Sequence, residues 1–326
     1  MAHRYAVTGA LSYTGRYIAK RLFEQNKSHE IVNLSRRSAP IALAPLSLDE
    51  TWRLPPTPPA WDNPELLRAA LRGCDALFAT YFVRFVDGSG DPHARAAANL
   101  ANLFDAAAAE GVKVVFSSHT RTSLDSPFSY IAGKARAEQS LRESGANYAI
   151  VRPCGIFGDT PAESILMNNA AWVLRRSPLF LTAGDGGQPF QPVHVRDMAA
   201  LMVKLGQSTD TSGEELDACG PDAPTALELF TALRDATGAP ARVAPVGGWL
   251  SNATLTALTR PIDWVTGDTL LDADDLDLLG SGLTRADDPD DPRIQERRSL
   301  MAWIKEHGAE LGQEYVSSRT RYYAVK

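Results

Sequence analysis

The chain has 326 residues, a net charge of −6, 44% hydrophobic and 22% charged residues. That length suffices for one large domain or two modest ones, and the composition is that of an ordinary globular protein. The acidic balance without a basic stripe argues against nucleic acid as a partner, and no window approaches the ~18 uninterrupted apolar residues of a membrane span.

In chain order, the opening MAHRYAVTGA has no apolar stretch leading to a small-residue cleavage site. Cys74, Cys154 and Cys219 lie far apart without metal-like spacing, so the expectation is reduced thiols and a cytoplasmic protein. Residues 4–8 (RYAVT) read as a buried strand ending in glycine. From Thr14 onwards Tyr17, Ile18 and Leu22 recur at helical spacing. EIVNLS (30–35) is a second strand, and the proline-rich 38–62 is a long loop around at most one short strand. Then follow a helix closed by Gly73, the strand DALFATYF, an alanine-rich helix closed by Gly111, the strand KVVFSS, the helix YIAGKARAEQSLRESG and the strand YAIVRP. Strand and helix alternate over the first ~155 residues, which requires crossover connections and predicts a parallel sheet covered on both faces. Beyond Pro153 the pattern loosens into helices at NNAAWVLRRS and ALELFTALRDATG, a short strand and helix in FQPVHVRDMAALMVKLG, and an acidic, proline-punctuated segment over 272–293 with one short helix.

The segment VTGALSYTG (7–15) runs from a strand into a helix. Gly9 suits a tight turn, and Gly15 lets the helix begin close to the strand, with free N–H groups aimed at a pyrophosphate. Ser12 stands where a third glycine is usual, and its hydroxyl could donate to a phosphate. The second strand ends in Ser35, Arg36 and Arg37 with no carboxylate, which favours the 2′-phosphate of NADP(H) over the free ribose of NAD(H).

Tyr130 and Lys134 lie four residues apart at the start of a helix, on one face. A nearby cation lowers a phenol's pKa and makes it a usable proton donor or acceptor. A second such pair, Tyr322 and Lys326, sits in a tail with no strand before it and is read as accidental. Alternation puts Ser118 and Thr120 on one face of the strand end, either of them able to orient a carbonyl, with His119 pointing away.

These motifs, with RPCGIFG and FQPVHVRDMA, resemble the short-chain dehydrogenase/reductase superfamily, in its extended or atypical epimerase/dehydratase-like group. The resemblance implies an α/β fold: a Rossmann-type doubly wound parallel sheet with a smaller mixed α/β C-terminal region. Residues 1–155, with a segment returning near 188–205, would bind NADP(H), and 156–326 would bind substrate. It further implies that Gly9, Ser12, Tyr13, Thr14 and Gly15 hold the pyrophosphate and Arg36 the 2′-phosphate. Asp62 and Asn63 would sit by the adenine, and Ala79, Thr80 and Tyr81 under the cofactor. Pro153, Cys154, Gly155 and Ile156 would line the nicotinamide end, Lys134 would also reach the ribose, and a homodimer would form through the helices flanking the fourth and fifth strands. Phe190 stands where sugar-nucleotide enzymes of this group carry an arginine, so a diphosphate substrate is disfavoured. Phe157, Trp172, Phe180 and Phe190 could face an apolar or aromatic ketone, with at least two of the four expected in the core. The implied activity is reduction of a small-molecule ketone with Tyr130 as proton donor. Epimerisation through transient oxidation, or NADP(H) binding without turnover, are the alternatives.

Overall fold

In a computed structural model that describes residues 1–37, 54–83, 90–209, 212–247 and 273–317, strand and helix alternate as expected. The first half runs β1 (Arg4–Thr8), α1 (Tyr13–Gln25), β2 (Glu30–Leu34), α2 (Pro64–Leu71), β3 (Ala76–Ala79), α3 (Pro92–Ala109), β4 (Lys113–Ser117), α4 (Ser129–Glu143) and β5 (Tyr148–Arg152). The second half adds β6 (Ile156–Phe157), α5 (Ile165–Arg176), β7 (Leu179–Thr182), β8 (Val193–His194), α6 (Val195–Gln207), β9 (Glu214–Asp217), α7 (Ala226–Thr237) and β10 (Arg242–Pro245). Helices over Ala273–Gly280, Pro292–Gln295 and Leu300–His307 follow. The expected loop over 38–62 lies partly outside the described residues, its described end carrying a bridge from Asn33 to Pro56. The second tyrosine–lysine pair, Tyr322 and Lys326, lies wholly outside them.

Among the described residues the central sheet has six strands in the order β2-β1-β3-β4-β5-β9, all parallel. Its inner strands are continuous apolar runs because both faces are covered. Tyr5, Val7 and Phe78 pack under α1 and α6, against Ile18, Leu22, Met198 and Met202. Ala6, Leu77, Phe116 and Ile150 face the other way, against Leu67 and Leu71 of α2, Leu100 and Phe104 of α3 and Leu141 of α4. Each fully buried leucine or phenylalanine of these layers stabilises the fold by about 1.5–3 kcal/mol. Caps mark the helix starts: Asn63 accepts from Leu66 N (3.1 Å), and Asp91 accepts from the N–H groups of His93 and Ala94 (3.0 Å each). No helix among the described residues is long and apolar enough to cross a membrane.

A separate core joins α5, α7 and the Leu300–His307 helix, and takes in Phe157, Phe180 and Phe190. Three of the four aromatics considered for a substrate wall are therefore core residues. Phe157 packs on Trp303 and Phe180 on Phe230, while the half-buried Trp172 packs on Tyr315 and under the Arg176 guanidinium. Distance in sequence misleads for two of the cysteines. Cys154, just past β5, packs against Cys219, just past its neighbour β9, and this thiol contact together with burial pushes the Cys219 thiol up. Both are free thiols.

Candidate active site

The carboxyl ends of β1, β3, β4 and β5 gather the nominated residues. Gly9 has φ +70°, a left-handed conformation that suits glycine. A Cβ on Gly15 would stand 2.0 Å from the Gly9 carbonyl oxygen, so α1 can start this close to the strand only with glycine there. The Ser12 hydroxyl donates back to Gly9 O (2.6 Å), and so closes the turn rather than reaching outward to a phosphate. It makes no cap to α1, whose first turn also lacks an acidic residue. The N–H groups of Thr14 and Gly15 thus stay at an uncapped helix start, where the helix dipole favours an anion. Tyr13 is buried in the same turn.

One turn further in, Arg16 is buried against Glu163, and Tyr17 donates to the same carboxylate (2.7 Å). Sequence reasoning missed this network, since Glu163 lies far along the chain. It pins the 157–163 segment to the glycine turn.

Beyond β2 the Ser35 hydroxyl turns inward to Asn33 (2.9 Å). Arg36 is exposed without a carboxylate partner among the described residues, and Arg37 is half-buried, its guanidinium pKa lowered by burial. Asn63 is committed to capping α2, a structural use of a residue expected at the adenine, while Asp62 is exposed beside it. Ala79 is buried at the end of β3. Thr80 is zipped to β1 by Thr80 N to Thr8 Oγ1 (2.7 Å) and Thr80 Oγ1 to Thr8 O (2.6 Å), with Tyr81 N also donating to Thr8 Oγ1. The Tyr81 ring stacks on Trp61 at 4.7 Å.

Tyr130 stands among three rings, each edge-on: Phe82 at 5.3 Å, His93 at 5.6 Å and His119 at 5.9 Å. Lys134, one turn on, is 3% exposed; its Nζ donates to Ser117 O (2.7 Å) and lies 5.9 Å from the Tyr130 ring centroid. Burial pulls its pKa from 10.5 down to about 7, partly opposed by the Glu138 carboxylate. Gly133 permits this packing, because a Cβ there would crowd His93 and Phe82.

The strand-end hydroxyls depart from expectation. Thr120 is fully buried and donates to the backbone carbonyl of Leu283 (2.7 Å), so its proton is committed to the 281–287 segment. Ser118 is 3% exposed, and its hydroxyl helps to hold the Glu138 carboxylate ionised. Burial works to raise the Glu138 carboxyl, but the hydrogen bonds and positive charge of Arg152 keep it below its usual range. His119, expected to point away, is instead the strand-end side chain beside Tyr130. Its Nδ1 lies 2.8 Å from Thr120 O, which makes Nδ1 the protonated nitrogen, and burial lowers its pKa to about 4.

Past β5, Pro153 O accepts from Thr120 N (3.2 Å), and Gly155 O accepts from Val193 N (2.9 Å). Cys154, Gly155 and Ile156 are half-buried, and the Phe190 ring fills the space where a Gly155 Cβ would be. A cavity of about 450 Å3 lies elsewhere, against Arg121, Glu138, Arg142 and Arg152 on a different face of α4 from Tyr130. Its guanidiniums are already paired with Asp287, Glu138 and Glu215.

A family model described as NAD(P)H-binding matches residues 9–171. The chain is 30% identical over 125 residues, 38% of its own length, to NADH dehydrogenase (ubiquinone) 1 alpha subcomplex subunit 9, mitochondrial, of Dictyostelium discoideum, and the match spans about a third (34%) of that relative. It is 28% identical over 244 residues to the (4-alkanoyl-5-oxo-2,5-dihydrofuran-3-yl)methyl phosphate reductase of Streptomyces griseus, covering 74% of this chain and 76% of that one. Among solved structures, the NADPH-dependent quinone oxidoreductase QOR2 of Escherichia coli, complexed with NADPH, superposes with a TM-score of 0.68 at 20% identity, over 93% of this chain and 99% of that one. The fold is that of NAD(P)-dependent reductases, as the epimerase/dehydratase-like motifs implied.

Proposed function

The chain belongs to the NAD(P)H-binding family, and from that premise we propose that it is an NADP(H)-dependent reductase of an uncharged, apolar carbonyl compound, with Tyr130 as proton donor. The observation that carries this reading is the buried Lys134 beside the Tyr130 ring, at the same sheet edge as an uncapped glycine turn. The turn fits a dinucleotide: Gly15 tolerates no Cβ, and the N–H groups of Thr14 and Gly15 would take the pyrophosphate. Arg36, exposed and without a carboxylate beside it among the described residues, would take the 2′-phosphate.

NADPH, when bound, supplies a hydride to the carbonyl carbon. The Tyr130 hydroxyl gives its proton to the oxygen as negative charge grows there, and an alcohol results. The Lys134 ammonium favours the phenolate that this leaves behind. Phe82, His93 and His119 surround the phenol with rings, and His119 is neutral near pH 7. Such walls suit an apolar or aromatic substrate better than a sugar diphosphate.

A second reading is favoured by the commitment of Thr120 to Leu283: without that hydroxyl to orient a ketone, the acceptor would be a C=C bond conjugated to a carbonyl. The Streptomyces griseus relative is named for such a ring, a 5-oxo-2,5-dihydrofuran. The test is NADPH consumption over a panel of ketones and conjugated carbonyls, with Tyr130→Phe as control. Loss of at least about 100-fold in kcat is expected, with the Kd for NADPH within about threefold. Unchanged turnover in Tyr130→Phe would remove Tyr130 as the acid. Absence of turnover on every compound would favour a protein that holds NADP(H) without chemistry.

A further inference from the structure

Asn33 is a polar residue within an apolar strand, between Val32 and Leu34, and is 1% exposed. A buried carboxamide is costly unless its hydrogen bonds are made. Here two donors and two acceptor positions are all used. Its Oδ1 accepts from Ala10 N (3.1 Å) and from Ser35 Oγ (2.9 Å). Its Nδ2 donates to Arg37 O (3.1 Å) and Leu54 O (3.2 Å). The backbone adds Ser35 N to Asn33 O (2.9 Å), and Arg37 N donates to Ser35 Oγ (3.2 Å).

Residues 33–37 therefore curl around this one amide. Ser35 and Arg37 are drawn inward and Arg36 is left exposed on the outside of the bend. The same amide grips Ala10, the residue directly after Gly9. One side chain thus ties the glycine turn to the loop that carries Arg36.

We infer that Asn33 is a positioning residue for cofactor preference: its amide sets the strand-end loop against the glycine turn, so that Arg36 can meet a ribose 2′-phosphate monoester while the turn holds the pyrophosphate. This rests on the reading of Arg36 given above. Asn33 touches no ligand itself; it acts through Arg36.

The experiment is a double-mutant cycle on the full chain, with NADPH and NADH titrated by fluorescence against wild type, Asn33→Ala, Arg36→Ala and the double variant. Wild type tests the underlying reading: equal affinity for the two nucleotides removes the role of Arg36, and the role of Asn33 with it. With a wild-type preference for NADPH, Asn33→Ala raises the NADPH Kd about tenfold and the NADH Kd by less than about threefold. In the Arg36→Ala background it leaves the NADPH-to-NADH ratio unchanged, because the group it positions is gone. A purely structural asparagine would weaken both nucleotides equally, or lower the melting midpoint with the ratio intact, and either result overturns the proposal. A full drop in the ratio that persists without Arg36 also overturns it. Should Asn33→Ala fail to fold, Ser35→Ala loosens the same bend while keeping the bond to Ala10. A folded Ser35→Ala with the wild-type ratio would equally overturn it.

Discussion

Replacing Lys134 by methionine separates what the buried lysine does for function from what it does to stability. The fall of its pKa from 10.5 to about 7 corresponds to a penalty of about 5 kcal/mol on the charged form. That figure is already the net of burial and of what opposes it, including the hydrogen bond from Nζ to Ser117 O and the Phe82 and Phe116 rings 4.4 and 5.0 Å away. Lys134→Met should therefore be at least as stable as wild type at pH 6.5, while losing about 100-fold or more in turnover. The sign of the pH dependence follows from the depressed pKa. Between about 7 and 10.5 the unfolded chain holds a proton on Lys134 that the folded chain has released, so wild-type stability rises with pH across that window. The variant lacks this contribution, and wild type should gain on it by about 2.5 kcal/mol from pH 7 to pH 9. Urea unfolding of both proteins at pH 6.5, 7.5 and 9 measures the difference, in which the other titrating groups cancel. A difference that stays constant over this range would refute the argument, for it would mean that Lys134 remains charged throughout.

Gly15→Ala pushes a methyl group into the Gly9 carbonyl, and backbone must move to admit it. The NADPH Kd should rise by more than about tenfold, and a wild-type Kd with an unchanged melting midpoint would show that the close approach is unimportant. Thr120→Val leaves Leu283 O without its hydroxyl donor, which should cost about 1–2 kcal/mol in urea unfolding with kcat within about twofold. A collapse of kcat at unchanged stability would return Thr120 to the chemistry. Burial lowers the pKa of both His119 and His194 from 6.5 to about 4. Between those values the unfolded chain takes up protons that the folded chain refuses, so stability falls as pH drops from 6.5 towards 4. Urea melts of His119→Phe at pH 7, 5.5 and 4.5 should show a shallower decline than wild type, and an identical decline would remove His119 as a contributor.

The sheet was legible because its signals are local. Apolar runs such as YAVT and KVVF end in turns with glycine or serine, and Gly73 and Gly111, which close two of the helices, both sit at positive φ. Gly9 and Gly15 were legible for the same reason, since a turn of fixed length constrains its own residues. β9 went unread: its EELD carries no apolar run, because it is an edge strand whose residues are all half-buried. The Leu300–His307 helix went unread, its buried face being defined by α7 and Phe157 rather than by anything nearby in sequence.

The candidate site divides along the same line. Tyr130 and Lys134 share a helix, so their spacing alone brings them together. The third group cannot be read that way. Alternation does separate His119 from Thr120, but which of them meets Tyr130 depends on where the loop between β4 and α4 crosses and on what covers the other side. That cover is the 281–287 segment, more than a hundred residues distant. It takes the Thr120 hydroxyl through Leu283, seats Thr284 on Pro189 O and holds Ala286 N against Gln191. A threonine that looks free in sequence is thus a structural anchor, and the imidazole that looks structural lies against the phenol. Long-range packing, which sequence reading does not see, decides which strand-end groups remain open to a substrate.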